Sequence, residues 1–415
     1  MLRDVPTLAI VHEVDSISLL HLARIYSGWM DIVWAVDDAR LTAADRRQLG
    51  RFGRVCDIGG SVHEAAAVLA SAGVDGVTTF ADAQLVRTAE IAEILRLPGN
   101  PPEVANRLVD KGEQRRALAA AGVPVPEFVE LGVATEPTSF DAVRYPAVLK
   151  PTVGAGGRTT FAAPDAGAAA WQLAALRAAG DLRPMILEEC LGEYPPGQRG
   201  EYGDYVSVES VVGAGVVHTV QVVGRMPLAA EFRETGAFAP AGLCPERSAE
   251  LAATVADAAA ALGIRTGCLH TEIKLTADGP RIIEVNGRIG GGGVPGIVAD
   301  TTGVSLYRCA ALAAVGAEIE PELDQRGPRN GVSFAIALQP PLDTPVALTP
   351  GWSEVLHGID GVRQIDVRAE QATVGHGEGS YGYLVMLAGL AESPERMLEA
   401  YRTLYSVMRP LANAQ

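Results

Sequence analysis

HTEIKLTADGPRIIEVNGRIGGGG, residues His270 to Gly293, decides how this chain is read. Two apolar runs, LHTEIKL and PRIIEVN, flank TADG, a hairpin turn signal. Side chains alternate between the faces of a strand, and directly opposed residues of an antiparallel pair share a face. A two-residue loop at Asp278–Gly279 opposes Glu284 to Ile273 and sends the two glutamates to opposite sides. A three-residue loop, Ala277–Gly279, opposes Glu284 to Glu272. Both registers are open. The need for one apolar face favours the second, with Ile273, Leu275, Ile283 and Val285 in the core and Glu272, Glu284 and Asn286 opposite. Facing carboxylates repel unless a cation lies between them. Their oxygens and an amide suit Mg²⁺, which also takes substrate phosphate oxygens. Arg288 adds a fork of donors for an oxyanion. A solvated face with a salt bridge to Arg or Lys274 fits the charge pattern as well. The GRIGGGG continuation tips the choice toward a ligand, because glycines let backbone approach one closely.

The chain has 415 residues and a net charge of −16, enough for two to four domains. That balance argues against a nucleic acid or an anionic membrane as partner. Five cysteines, Cys56, Cys190, Cys244, Cys268 and Cys309, show no CxxC spacing and read as reduced, mostly buried residues of a cytoplasmic protein. The start, MLRDVPTLAIVHEVDS, has too short an apolar run for a signal peptide. Only three of the 34 basic residues are lysines, Lys111, Lys150 and Lys274. In an arginine-rich chain a retained lysine marks a place where a compact ammonium is wanted. The neighbouring sequence supports that reading for Lys111 and Lys150; chance suffices for Lys274.

Residues 1–104 alternate short strands (TLAIVHE, MDIVWAVDD, RVCDIGG, GVDGVTTF) with helical stretches, the pattern of a parallel, Rossmann-like sheet. No GxGxxG occurs there, so a dinucleotide site is not indicated. LPGNPPEV makes the first break. Residues 105–192 begin with one helix, ANRLVDKGEQRRALAAAG, and continue as a small α+β unit. Residues 193–325 open with the loop EYPPGQRGEYGD and hold long antiparallel strands, a helix and the hairpin. RGPRNG separates a final α+β unit, 326–415. The fold class is therefore α/β and α+β, multidomain.

VLKPTVGAGGRTTF places Lys150 at the end of a strand before a flexible loop, Gly154–Gly157. Backbone N–H groups of such a loop can cradle phosphates, with the lysine as a point charge. No GKS or GKT follows, so it is not a Walker A loop, and TTF reads as a strand, which a dinucleotide turn does not precede. A plain hairpin turn is the competing interpretation.

The ordered set Lys111, Lys150, GAGG, ILEECL, Glu272, Glu284-x-Asn286, Arg288 and glycines resembles the ATP-grasp superfamily over residues ~105 to ~310. Within it the chain is most similar to the carboxylate–amine ligases of the L-amino acid (dipeptide) ligase type. It is more distantly similar to biotin carboxylase and the purine-pathway carboxylases and formyltransferases. The resemblance implies a Rossmann-like N-terminal domain, two ATP-grasp subdomains and a C-terminal extension. It implies ATP with two Mg²⁺ ions, or Mn²⁺, small carboxylate and amine substrates, and a homodimer. Lys111 and Lys150 match phosphate lysines; Gly154, Gly156 and Gly157 match the loop that folds over the phosphates. Glu188, Glu189 and Leu191 match the hinge that holds adenine. Asp204 falls where a Glu commonly takes the ribose hydroxyls, a departure. Glu272, Glu284 and Asn286 match the metal ligands. Arg288 matches the arginine that steadies the acyl phosphate, with Gly291 beside it in the substrate site. Glu234 matches an acid that receives a substrate ammonium.

The chemistry so implied is activation of a carboxylate as an acyl phosphate, followed by attack of an amine. Arg288 and Lys150 carry the catalytic roles, and a small domain hinged near ECLGEY closes to exclude water. His270, beside the metal face, reads as a strand-packing residue. A carboxylase or formyltransferase, and a nucleotide-binding protein without catalysis, are the competing functions.

Overall fold

The computed structural model of the chain describes residues 5–13, 19–132, 137–192, 200–327 and 330–411. The expected hinge at ECLGEY and the loop EYPPGQRGEYGD fall partly outside these residues. Four short strands, Arg54–Asp57, Asp31–Val36, Thr7–Val11 and Gly76–Thr79, lie side by side in that order and run parallel. The inner pair is almost wholly buried, as apolar runs covered by helices on both faces must be. A second, antiparallel four-stranded sheet orders Phe128–Leu131, Met185–Glu189, Ala147–Pro151 and Phe161–Ala163. The helix Ala166–Ala178 covers it, capped by Asp165.

The largest sheet has eight strands, in the order Gly279–Asn286, Gly267–Thr276, Tyr205–Gly213, Val216–Arg225, Gly236–Ala239, Val332–Ala337, Val385–Ala391 and Val362–Val367. It runs without interruption through strands on both sides of residue 326. The helix Pro245–Leu262 lays Leu251, Val255 and Leu262 under Val206, Val208, Ile273, Leu275, Ile282 and Val285. That apolar contact fixes which face of the hairpin turns down, and so leaves the charged face up.

Three expectations about local structure need correction. The hairpin pairs Glu272 with Glu284, but by a different route: the turn is the two-residue Ala277–Asp278, closed by the Thr276–Gly279 pair. A bulge then sets Ile273 opposite Ile282, leaving Ile283 as the extra residue. Ile282 therefore takes the core place expected for Ile283, and Ile283 turns to the cleft. The helix expected over 105–122 is two, Pro102–Val109 and Lys111–Ala120. Asp110 breaks it with extended backbone and caps the second helix by accepting from Glu113 N–H. The break starts a new helix at Lys111. Of the five cysteines, all free, only Cys268 and Cys309 are buried, and Cys244 is exposed.

Candidate functional site

The charged face of the hairpin, a face of the smaller antiparallel sheet and the glycine loop enclose a cleft of about 360 Å³. Lys111, Lys150, Gly154, Gly156, Gly157, Glu188, Glu189, Leu191, Glu234, Glu272, Glu284, Asn286, Arg288 and Gly291 all line it. Asp204 does not; its carboxylate sits 2.7 Å from Lys274 Nζ, and Lys274 is the one that lines the cleft. All three lysines of the chain therefore border this one space, including Lys274, for which composition alone suggested chance.

On the hairpin wall, Glu272 and Glu284 are direct cross-strand partners. Lys111 Nζ lies 2.9 Å from Glu284 Oε1 and donates to Gly154 O at 2.9 Å, so it bridges the hairpin to the glycine loop. Asn286 donates from Nδ2 to His270 O, which orients its amide. Among the described residues no three His, Cys, Asp or Glu side chains form a closed metal cage. Two carboxylates and an amide instead fit a hard divalent ion that takes its other oxygens from phosphates and water. The Lys111 ammonium on Glu284 marks the same demand for positive charge.

Gln114 pins the same strand from below: its Oε1 accepts from Val285 N–H at 2.8 Å and its Nε2 donates to Val285 O at 2.9 Å. The amide thus mimics a neighbouring strand where the hairpin would otherwise have a free edge.

The opposite wall carries a buried triad. Glu188 receives Lys150 Nζ at 2.7 Å on one oxygen and Arg115 Nε at 2.8 Å on the other. Burial pushes the Glu188 carboxyl up, but Arg115 and Lys150 outweigh it and hold it at about 2. Burial lowers Lys150, against the pull of Glu188. Glu188 expected at an adenine hinge is thus already engaged by two cations, while the neighbouring Glu189 accepts from Glu127 N–H and pairs with Arg144 and Arg281.

A chain of buried groups joins the hairpin to Glu234. Glu209 Oε1 lies 2.7 Å from His270 Nδ1, and His270 Nε2 lies 3.4 Å from Glu272 Oε1. Arg225 reaches Glu234 at 3.2 Å and Ser207 Oγ at 3.0 Å, and its Nη2 is 3.2 Å from His270 Nε2. Burial pushes His270 down, but the two carboxylates overcome it and raise it to about 9. His270 is therefore part of a buried charge network, beyond the packing role its strand position suggested. Glu272 is held below the usual carboxylate range: burial opposes ionisation, and His270, Arg225 and Arg288 outweigh it. Arg288 itself pairs with Asp82 of the parallel-sheet unit, which raises it against a desolvation that lowers it.

Arg115, Gln114, Arg225, Asp82, Ser380 and Tyr381 were not singled out in the sequence. Each has a partner in another element of the fold, and each sits in an ordinary helical, strand or loop context. Only the alternation of Tyr205, Ser207 and Glu209 against apolar Val206 and Val208 on a covered strand hinted at a polar upper face.

No family model matches the chain. In sequence it is 27% identical over 340 residues to an uncharacterized protein, y4rH, of Sinorhizobium fredii, covering 79% of this chain and 66% of that one. It is 28% identical over 274 residues to carnosine synthase 1 of Mus musculus, 60% of this chain and 31% of that one. Alanine–anticapsin ligase of Bacillus subtilis is 27% identical over 233 residues, 53% of this chain and 49% of that one. The chain thus spans between about a third and two thirds of these relatives' lengths. In structure it superposes on L-amino acid ligase from Bacillus licheniformis with a TM-score of 0.76 and 22% identity, over 98% of this chain and 99% of that one. The biotin carboxylase domain of 2-oxoglutarate carboxylase from Hydrogenobacter thermophilus, solved with MgADP and bicarbonate, gives 0.67 and 16%, over 98% and 90%.

Proposed function

Given that this chain has the ATP-grasp fold, we propose that it is an ATP-dependent carboxylate–amine ligase. It activates an amino acid or other small carboxylate as an acyl phosphate and condenses it with an amine, releasing ADP and phosphate. The observation that carries this reading is the pairing of Glu272 and Glu284 on one face of the hairpin, in a cleft that Lys150 and the glycine loop also line. The sequence relatives named as carnosine synthase and alanine–anticapsin ligase support the same class.

A carboxylate is a poor electrophile because its charge repels nucleophiles. Transfer of the γ-phosphoryl group to it creates a leaving group. Glu272, Glu284 and Asn286 would hold two Mg²⁺ or Mn²⁺ ions, which supply positive charge to the triphosphate when bound. Lys111, on Glu284 and Gly154 O, would hold its ammonium beside the phosphates through the Gly154 O bond. Lys150, anchored on Glu188, presents a fixed charge to the transferred group. Glu188, Glu189 and Leu191 border the adenine end, with Asp204 reaching the ribose only through a shift of Lys274. Arg288 steadies the acyl phosphate and the tetrahedral state that follows, and Gly291 leaves room beside it. Glu234, one oxygen on Arg225, offers the other to the substrate ammonium.

We assign 1–104 to a Rossmann-like unit, 105–192 to the small ATP-grasp subdomain, 193–325 to the large one, and 326–415 to a C-terminal unit that shares the large one's sheet. We also assign the reaction to the cytoplasm and to a homodimer. Among the described residues no helix is long and apolar enough to cross a membrane.

The test supplies ATP, Mg²⁺ and pairwise mixtures of amino acids and reads phosphate release with a product of matching mass. ADP formation that no carboxylate or amine stimulates would count against the proposal. The carboxylase reading draws on the likeness to a domain solved with bicarbonate. It predicts stimulation by bicarbonate without an amino acid. Glu234 argues against it, since an acid at the substrate end repels an anion and suits an ammonium.

A further inference from the structure

The glycine loop is held shut by a part of the chain more than 200 residues away. Residues Gly375–Tyr381 pass over it as a tight turn. Ser380 N–H donates to Gly156 O at 2.8 Å, and Thr159 N–H donates to Gly377 O at 2.8 Å, so two backbone hydrogen bonds stitch the segments together. The Tyr381 ring covers Gly156 so closely that a methyl group there would strike it, and the Arg158 guanidinium lies over the ring at 4.9 Å. A methyl group at Gly379 would collide with Gly156 O and Arg158 N–H, which are backbone atoms and cannot swing aside. Gly156 and Gly379 also take positive φ, of 66° and 74°, conformations that favour glycine.

The same turn is tied to the substrate end. Ser380 Oγ accepts from Glu234 N–H at 2.9 Å. Gln339, nearly fully buried, donates from Nε2 both to Ser380 O at 2.8 Å and to Glu234 O at 2.9 Å. One residue, Ser380, therefore contacts the phosphate loop through its N–H and the backbone of Glu234 through its hydroxyl. Tyr381 and Ser380 both line the cleft.

We propose that Ser380 and Tyr381 are positioning residues that lock the glycine loop over the cleft and set its place relative to Glu234. The C-terminal unit is then a wall of the site. Its consequence for catalysis rests on the ligase reading above: an acyl phosphate under a locked loop meets the amine before water. The locking itself does not depend on that reading.

The test separates the two. Arg158 sits in the loop as an exposed trypsin site, and a protease needs the backbone around it released. The full chain without nucleotide is digested briefly and the fragment ending at Arg158 is followed by mass spectrometry. Three variants are compared: Gly379→Ala, Tyr381→Ala and Gly180→Ala. Gly180 takes φ 86° with nothing near it, so its variant carries the backbone cost without touching the loop. Losing two stitches should raise cleavage after Arg158 about tenfold in Gly379→Ala relative to Gly180→Ala. Tyr381→Ala, which introduces no strain, should raise it about threefold and decides the matter if Gly379→Ala does not fold. Cleavage equal to that of Gly180→Ala in both overturns the lock.

A second arm uses ATP, Mg²⁺ and the amino-acid pair selected by the screen. Tyr381→Ala should release more phosphate than amide, with a raised KM for ATP. A ratio that stays at one phosphate per amide overturns the water-excluding role. Absence of any ATP turnover in the wild-type chain would remove the ligase reading and leave the proteolysis result standing.

Discussion

Two lysines face the same cleft and are held in opposite ways. Lys150 shares Glu188 with Arg115, and all three side chains are nearly inaccessible. That carboxylate stays neutralised whatever enters the cleft, because Arg115 and Lys150 each hold one of its oxygens. Among the described residues Lys111 pairs with one acid, Glu284, and Glu284 is a proposed metal ligand. On that proposal the ion pair would give way to a divalent ion, and the bond to Gly154 O would keep the ammonium beside the site. The first pair is a fixed fitting of the wall. The second would be an exchangeable one, with the lysine in the place proposed for the cation. The difference lies in the number of partners each carboxylate has and in how fully water is excluded.

Breaking the fixed pair should have the largest effect. Glu188→Gln leaves Arg115 and Lys150 buried with one carboxylate fewer, and should cost about 3–5 kcal/mol of stability in urea. The acid limb follows the same logic. Glu188 titrates at about 2 in the fold, below its unfolded value, so its contribution is complete above that unfolded value and is lost as pH falls toward 2. A wild-type-like denaturation midpoint for Glu188→Gln would mean the triad is not a structural unit.

The exchangeable pair should behave the other way. Glu284→Gln keeps an amide oxygen for Lys111 and should unfold within about 1 kcal/mol of wild type. Its turnover should fall by about 10²–10³-fold, since a charged ligand is lost where charge develops. Full activity in this variant would end the metal assignment. Lys150→Arg belongs with the fixed pair: the guanidinium cannot fit where Arg115 already holds the second oxygen of Glu188, so activity and stability should fall together.

Arg225 tests the link between the hairpin and Glu234. Arg225→Lys keeps the charge but cannot reach Ser207, Glu234 and His270 at once. The KM for the amino-acid carboxylate should rise about tenfold, with a smaller change in kcat, because Glu234 loses its anchor. Equal loss in kcat and kcat/KM would place Arg225 in the transition state instead.

The hairpin site was legible because its residues lie within nineteen positions of each other, His270 to Arg288, and strand alternation alone sorts them onto faces. Even there the route was hidden: a bulge at Ile283 restores the Glu272–Glu284 register that the two-residue turn would have broken. Periodicity also missed the break at Asp110, because an Asp inside a helical pattern looks like a surface residue until its cap bond to Glu113 is seen. The fixed triad joins Arg115, Lys150 and Glu188, and the loop lock joins Gly156 to Ser380. Neither has any local periodicity, since tertiary packing alone brings those segments together. His270 looked like a packing residue because its partners, Glu209 and Arg225, come from two other strands of the same sheet.

The smallest expected effect comes from an ion pair of a half-exposed histidine, at the far end of the lock. His376 Nδ1 lies 2.6 Å from Glu231 Oε1, and Nε2 lies 3.1 Å from Asp343 Oδ2. Those two carboxylates are the charged groups that face it, and its side chain is 57% exposed. The hydrogen bond to Glu231 and its charge raise His376 above its usual value, with burial opposing weakly. A raised folded value means that the contribution is complete below the unfolded value near 6.5 and is lost as pH climbs through the folded one. Water screens such a pair, so the effect should be small beside that of Glu188. Cleavage after Arg158, divided at each pH by the cleavage of an unstructured reference peptide, should rise modestly between about pH 6 and about pH 9, and should stay flat in His376→Gln. An identical pH profile in both chains would mean that His376 does not hold the turn, and the contrast between fixed and exchangeable pairs would then stand on Lys150 and Lys111 alone.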